Sequence, residues 1–178
     1  MDPRPEVPAV TRPARTSLLL LLAVVASSVL ALDQASKAMI VARLTENIPV
    51  WVIDGWLQLR LVRNPGAAFS LSTGTTWLFT LIATAVVIVI IRTSRRIGSR
   101  AWALALGLLL GGALGNLSDR LWREPGFARG HVVDFIEFRQ FPFTLFQVFN
   151  VADSAIVTAA CLIALLAFRE VPLEGRHG

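Results

Sequence analysis

Long stretches without charged residues alternate with short charged segments along this chain. Four stretches are read as helices that cross a membrane, at about 16–32, 74–91, 101–118 and 148–168. A spanning helix needs about 20 apolar residues, and the first stretch reaches the lower limit of that length. The pattern therefore predicts a single four-helix membrane domain over residues 16–170.

The ends of the chain are polar. Residues 1–15 hold four prolines and three arginines and are interpreted as a disordered basic lead, and residues 171–178 as a cytoplasmic tail. A basic lead before an apolar run is also typical of a cleaved signal peptide. We favour an uncleaved helix, because Asp33 and Lys37 continue the helical spacing as an i,i+4 pair.

The segment after the first run changes to a β pattern. Pro49 to Ile53 and Trp56 to Arg63 flank Asp54-Gly55, and this glycine supplies the positive φ that a tight hairpin turn needs. His131 to Phe138 is rich in β-branched and aromatic residues and is expected to add strand structure. In the third apolar run, Gly107, Gly111 and Gly115, with Gly112 alongside, predict a helix face that a neighbouring helix approaches closely.

Composition agrees with a membrane protein. Of 178 residues, 54% are hydrophobic and 16% charged, and the mean hydropathy is +0.63, whereas soluble domains carry about 25% charged residues. The net charge of +5 comes without a basic, aromatic-rich polar domain, which argues against nucleic-acid binding. The lone cysteine, Cys161, is expected to be a small buried hydrophobe that forms no intrachain disulfide.

Arginine placement predicts the orientation. Arg92, Arg95, Arg96 and Arg100 fill one short loop, and the lead and tail are also basic. The positive-inside rule places these three segments in the cytoplasm and the two longer loops outside.

Two carboxylates lie in very apolar sequence. Asp134 is flanked by Val132, Val133, Phe135 and Ile136, and Asp153 lies just inside the fourth run. A carboxylate in such surroundings is costly to ionise. Two of them close together could share one proton and activate a water against a peptide bond without a metal or a nucleophilic side chain.

With this orientation, the unusual polar residues all fall at the outer membrane face. If the fourth helix starts near Val148, Asp153 lies roughly 7 Å below the surface, where acids usually face a polar cavity or a partner. We therefore expect one outward-facing pocket, formed by Asp33, Asn64, Asn116, Asp119, Arg120, Asp134, Asn150 and Asp153.

Each residue has a plainer interpretation. Asn150 and Asp153 fit the N-cap and N3 positions of the fourth helix. Asp33 with Lys37, and Asp119 beside its neighbour Arg120, are equally interpreted as interfacial ion pairs.

Other chemistries and classes are less well supported. His131 near Asp134 lacks the spacing of a metal motif, and Ser70 and Ser154 have no identifiable base partner. A proton-conducting transporter would need polar residues at mid-depth, which spans two to four nearly lack. A non-enzymatic assembly subunit that uses the glycine face would leave the two aspartates unexplained.

The chain resembles the bacterial lipoprotein signal peptidases, an aspartic type of peptidase. The resemblance covers about residues 17–168 and rests on motif blocks in the family's order: Asp33-Gln34 with Lys37, Arg63 to Ser70, Gly111 to Arg120, Gly130 to Phe135, and Phe149 to Ser154.

The resemblance implies a mainly α fold of four transmembrane helices, with a small outer β-cradle and a short outer helical segment. It makes Asp134 and Asp153 the catalytic dyad. It assigns substrate-binding or supporting roles to Asn64, Asn116, Arg120, Asn150, Asp33, Lys37 and Asp119.

The implied activity is endopeptidase cleavage of diacylglyceryl-modified prolipoproteins, just before the lipidated cysteine. No metal or other cofactor is expected. The protein is expected to act as a monomer among the lipids of the bacterial inner membrane, with both termini in the cytoplasm and the site at the outer face.

Overall fold

The computed structural model describes residues 14–66, 76–140 and 147–174, which form four long helices and one small sheet. Each helix is long and apolar enough to cross a membrane, which confirms the expected helical membrane fold. The helices are α1 (Arg15–Arg43), α2 (Thr76–Ser94), α3 (Arg100–Trp122) and α4 (Val151–Phe168), and the strands are β1 (Val50–Ile53), β2 (Leu57–Asn64) and β3 (Val132–Phe138).

Some predicted features lie outside the described residues. These are the basic lead up to residue 13, positions 67–70 of the Arg63 to Ser70 motif, the first residues of the second span and the last four residues of the tail. Within 14–66, 76–140 and 147–174, no residue outside the four helices is helical, so the short outer helical segment is not found there.

Helix ends differ from the predicted ones where polar side chains have internal partners. Helix α1 continues past Leu32 to Arg43, because Asp33 and Lys37 pair inside the protein. Helix α4 begins at Val151 and not near Val148, because the Asn150 side chain caps it by accepting from the Asp153 N–H.

Helix α3 lies at the centre of the bundle and packs against the other three helices. The predicted glycine face is confirmed. A Cβ added at Gly111 would lie 2.7 Å from the Ala26 carbonyl oxygen of α1. Gly112 lies on another side of α3, where a Cβ would come within 2.5 Å of the Ala152 carbonyl oxygen of α4.

The three strands form an antiparallel sheet in the order β1-β2-β3. Gly55, with φ of +70°, turns the chain between β1 and β2 as the Asp-Gly pair predicted. The turn also includes Trp56, whose N–H donates to the Ile53 carbonyl. Ile40 near the end of α1 packs with the buried Val133 of β3, so the sheet lies at that end of the bundle.

The cysteine prediction was wrong. Cys161 is exposed on α4, because this helix packs mainly on α3 and presents much of its surface outward. An apolar run in a membrane helix faces lipid as readily as core, so apolar neighbours did not determine burial.

Candidate functional site

The end of β3 and the start of α4 are held together by backbone hydrogen bonds. The Phe149 carbonyl accepts from the N–H groups of Phe135 (3.0 Å) and Ile136 (2.8 Å), and the Phe149 N–H donates back to Ile136. This connection sets Asp134 of β3 beside Asn150, the residue that precedes α4.

Asp134 is buried, with 2% of its surface exposed. The Asn64 Nδ2 donates to its Oδ2 at 2.9 Å, and the Asn150 Nδ2 to its Oδ1 at 2.7 Å. Burial and, to a smaller extent, the charge of Asp153 raise the pKa of Asp134 from 3.8 to about 6, although the two amide hydrogen bonds act to lower it.

Asp153 is the N3 residue of a capping box at the start of α4. Its Oδ2 accepts from the Asn150 backbone N–H at 3.2 Å, and its Oδ1 from the Asn116 Nδ2 at 2.7 Å. Asn150 therefore contacts both carboxylates, one through its side chain and one through its backbone. Because α4 starts at Val151 and not near Val148, Asp153 lies in the first turn of the helix.

A second set of charges lies behind these two carboxylates. The Lys37 Nζ is 2.8 Å from both Asp33 Oδ2 and Asp119 Oδ2, and all three side chains are fully buried. The Asp33–Lys37 ion pair of the plainer interpretation is therefore present, but it is fully buried and shared with Asp119. Asp119 does not pair with its neighbour Arg120 but with Lys37 and Arg123, because helical spacing aims i and i+4 side chains the same way.

Asn116 connects the two sets. Its Oδ1 accepts from the Lys37 Nζ and the Asn150 Nδ2, both at 3.1 Å, so its Nδ2 is left to donate to Asp153. An ammonium can only donate, and Lys37 therefore fixes which way the Asn116 amide points. Asp33 adds a direct link to α4, because its Oδ1 accepts from the Ala152 N–H at 2.9 Å.

Arg120 reaches the same region from α3. Its Cζ lies 5.2 Å from the ring centroid of Phe79 on α2, and its charge interacts with those of Asp134 and Asp153. Its Nη1 is buried and has no hydrogen-bond partner within the part of the chain that the structure describes. A buried guanidinium nitrogen of this kind is available to a bound molecule.

A cavity of about 550 Å³ opens at the two carboxylates. Asp134, Asp153 and Asn64 supply its polar side, and its other surface is largely apolar. The remaining lining residues are Phe138, Gln147, Val148, Phe149, Ser154, Val157 and Thr158. Such a cavity suits a molecule that combines a polar reacting group with an apolar body.

The structure thus brings together every predicted site residue: Asp33, Lys37, Asn64, Asn116, Asp119, Arg120, Asp134, Asn150 and Asp153. Sequence reasoning missed two supporting residues. The Gln34 Nε2 lies 3.1 to 3.2 Å from Asp33, Asp119 and the Gly115 carbonyl. Arg123 was detectable from its i+4 spacing to Asp119, and Gln34 only from its place beside Asp33.

The structure also describes residues that a metal, serine or histidine mechanism would use. Among the described residues, no three His, Cys, Asp or Glu side chains are grouped as a metal site. The Ser154 hydroxyl donates to the Asn150 carbonyl at 3.0 Å. Burial, helped by the charges of Arg120 and Arg63, lowers the pKa of His131 below its usual 6.5.

Known proteins resemble this chain over most of its length. The model of the family described as signal peptidase (SPase) II matches residues 25–169. The chain is 51% identical to the lipoprotein signal peptidase of Rhodococcus jostii (strain RHA1), over 98% of this chain and 85% of that protein. It is 49% identical to the lipoprotein signal peptidase of Leifsonia xyli subsp. xyli (strain CTCB07), over 92% of this chain and 74% of that protein.

A solved structure described as a bacterial membrane enzyme has the same fold. The TM-score is 0.75 at 27% sequence identity, and the match covers 90% of this chain and 97% of the other. Taken with the family match and the close relatives, this likeness confirms the resemblance seen in the motifs. The chain belongs to the signal peptidase II family, the endopeptidases that remove signal peptides from prolipoproteins.

Proposed function

We propose that Asp134 and Asp153 share one proton and hydrolyse, without a metal, the peptide bond just before the diacylglyceryl-modified cysteine of a prolipoprotein. The observation that carries this proposal is that Asn150 contacts both carboxylates, through its Nδ2 to Asp134 and its N–H to Asp153. The two acids also line one cavity. A pair held this way can present an acid and a base to the same water.

In the first step, the ionised carboxylate takes a proton from water while the water oxygen attacks the scissile carbonyl carbon. The neutral carboxyl donates its proton to the carbonyl oxygen, which gives an uncharged tetrahedral diol. The charge that develops on this oxygen is thereby neutralised where it forms.

In the second step, the diol collapses and the carbon–nitrogen bond breaks. One diol proton returns to the dyad, and the dyad proton taken from water passes to the leaving nitrogen. The products are the carboxyl terminus of the signal peptide and a free α-amine on the lipidated cysteine. The dyad again holds one proton, so it titrates as a pair and not as two separate groups.

The cavity supports a lipid-modified substrate. Its polar side carries Asn64 and the two acids, and its apolar side, which includes Phe138 and Val157, suits the diacylglyceryl chains. The Arg120 Nη1, which has no hydrogen-bond partner among the described residues, is a donor for a carbonyl of the peptide or of the lipid ester. Asn116 and Asn150 hold the dyad, and Asp33, Lys37 and Asp119 support it from behind.

We also propose where the protein lies in the cell and that it acts as a monomer. The arginine-rich α2–α3 loop supports an inner membrane protein with both termini in the cytoplasm and the dyad at the outer face. Residues 16–170 then act as one membrane domain, between a basic lead and a cytoplasmic tail. The site is built from one chain, which supports a monomer.

Cleavage of a diacylglyceryl precursor peptide by the purified full chain in detergent tests the chemistry. We expect activity to be unchanged by a metal chelator, and one ¹⁸O atom from labelled water to appear in the signal-peptide product after a single turnover. Cleavage that stops with chelator and returns with added metal would overturn the proposal, as would trapping of an acyl-enzyme by hydroxylamine.

A further inference from the structure

The opposite end of the bundle holds a second cavity, of about 570 Å³, lined by Arg15, Arg95, Arg96, Ile97 and Glu174. We call it the arginine cavity. It lies where α1 begins, α2 ends and α3 begins, whereas the dyad lies near the other end of α3. Nothing in the cleavage chemistry uses it.

Positive charge accumulates around the arginine cavity. Three of its lining residues are arginines, and Arg92 in the last turn of α2 and Arg100 at the start of α3 lie close to them along the chain. Helix α1 starts here without a side-chain cap and without an acid in its first turn, so the positive end of its dipole adds to the field. Among the residues that line the cavity, only Glu174 is acidic, and it lies 3.4 Å from Arg96.

The walls of the cavity are held in place. The Arg15 guanidinium donates to the Arg95 carbonyl. The segment after α4 is fastened to the α2–α3 loop and α3, because the Gly98 N–H donates to the Leu173 carbonyl (2.7 Å) and the Trp102 Nε1 to the Val171 carbonyl (3.0 Å). These contacts fix the backbone around the cavity, while the Arg95 and Arg96 side chains are exposed and can reach a bound group.

Helices α1 and α2, which each have one end at the cavity, expose apolar side chains. Helices α1 and α2 both pack on α3 but hardly touch each other. Both expose large apolar side chains, such as Leu20 (64%) on α1 and Val89 (60%) on α2. A molecule with an anionic head and apolar chains could pair with the arginines and also cover the exposed apolar side chains of these helices.

We infer that the arginine cavity binds the phosphate headgroup of an anionic phospholipid from the adjacent leaflet. Guanidinium groups pair with phosphate oxygens through two parallel N–H bonds. Basic pockets between transmembrane helices are recognised as sites for acidic headgroups. The apolar helix faces favour a lipid over a free phosphate, because the acyl chains would bury surface that a soluble ion leaves open.

The test measures binding of phosphatidylglycerol to the detergent-purified full chain by native mass spectrometry, with phosphatidylcholine of the same acyl chains as the neutral lipid. Arg95→Gln combined with Arg96→Gln should weaken phosphatidylglycerol binding about tenfold. The matched control is Arg92→Gln with Arg100→Gln, which removes the same charge from the helix ends on either side of the loop, at residues that do not line the cavity. Equal losses in both double variants would reduce the effect to general surface charge and overturn the inference.

A variant with increased lipid affinity distinguishes an effect on the site from a failure to fold. Glu174→Gln removes the competing acid beside Arg96, so phosphatidylglycerol should bind several-fold more tightly. An unchanged or weaker affinity would contradict the site. Inorganic phosphate should not displace the lipid at comparable concentrations, and displacement would assign the cavity to a soluble anion and overturn the lipid assignment. Precursor cleavage in detergent should be unchanged in all these variants.

Discussion

Two pairs of aspartates are linked through Asn116, which contacts Lys37 of one pair and Asp153 of the other, and the two pairs have different partners. Asp33 and Asp119 share the Lys37 ammonium at 2.8 Å, and Asp119 has Arg123 as well. Asp134 and Asp153 instead accept hydrogen bonds from the N–H groups of asparagines.

This difference in partners fits the proposed roles, in which Asp33 and Asp119 stabilise the fold and Asp134 and Asp153 cleave the substrate. A carboxylate in contact with a buried ammonium is held ionised, and its oxygens are occupied. A carboxylate held by neutral amides has its geometry fixed but can still gain or lose a proton near neutral pH. We interpret the first pair as a structural support for the second. Lys37 holds the Asn116 side chain, and Asn116 in turn donates to Asp153.

The largest expected effect is on cleavage. Asp134→Asn or Asp153→Asn should reduce precursor cleavage about 10³-fold, because an amide can neither accept the proton of water nor complete a shared-proton pair. Asp54→Asn, in the exposed hairpin turn, is the matched control and should cleave normally. Normal processing by either dyad variant in a purified assay would refute the dyad.

Next in size is the effect of removing the shared ammonium. Lys37→Met leaves Asp33 and Asp119 buried without their common cation, which should cost about 3–5 kcal/mol of unfolding free energy. Thermal unfolding in detergent measures this loss, and combining Lys37→Met with Asp119→Asn should recover part of it. Asp134→Asn unpairs no charge and should cost much less. An equal cost for both single variants would remove the distinction between the pairs.

The third effect is a dependence of stability on pH. Burial raises the pKa of Asp134 from 3.8 to about 6, so folding favours its protonated form. The resulting stability is present below 3.8 and is lost as pH rises through about 6. Between those values, the wild type should lose about 3 kcal/mol relative to Asp134→Asn. Unfolding of both proteins across this range tests the sign, and a constant difference would contradict it.

The smallest effect concerns one amide. Asn64→Ala removes the donor to Asp134 Oδ2 and should slow cleavage about tenfold without ending it. The pKa of Asp134 should rise further, because this hydrogen bond favours the ionised form. Gln140→Ala deletes another amide near the sheet, one that donates to the Gly55 carbonyl, and is the control. An unchanged rate for Asn64→Ala would exclude Asn64 from the site.

Much of the fold could be predicted because a membrane leaves few alternatives. Apolar runs must satisfy their backbone groups internally and therefore form helices. The Asp-Gly pair predicted the hairpin turn, and the β-branched run around Asp134 became β3. The same reasoning found the neighbourhood of the site, since isolated acids in apolar sequence need polar partners.

The partners themselves could not be predicted in the same way. Lys37 lies far along the chain from Asp119, and their contact depends on how closely α1 packs on α3. Asp119 pairs with Arg123 and not with its neighbour Arg120, because side chains four residues apart lie on the same side of a helix. The prediction had considered only adjacent residues. Hydropathy placed the start of α4 near Val148, whereas the predicted Asn150 cap, which the structure confirms, marks the true start.

The glycine seam between α1 and α3 has a consequence for how a molecule can enter. A Cβ at Gly115 would lie 2.6 Å from Asp33 Oδ2, so these helices meet without room for even one methyl group. The bundle is therefore closed between α1 and α3 at this position. The cavity of the dyad reaches the outer surface of α4 at Val157 and Thr158, and we expect a molecule from the bilayer to enter on that side.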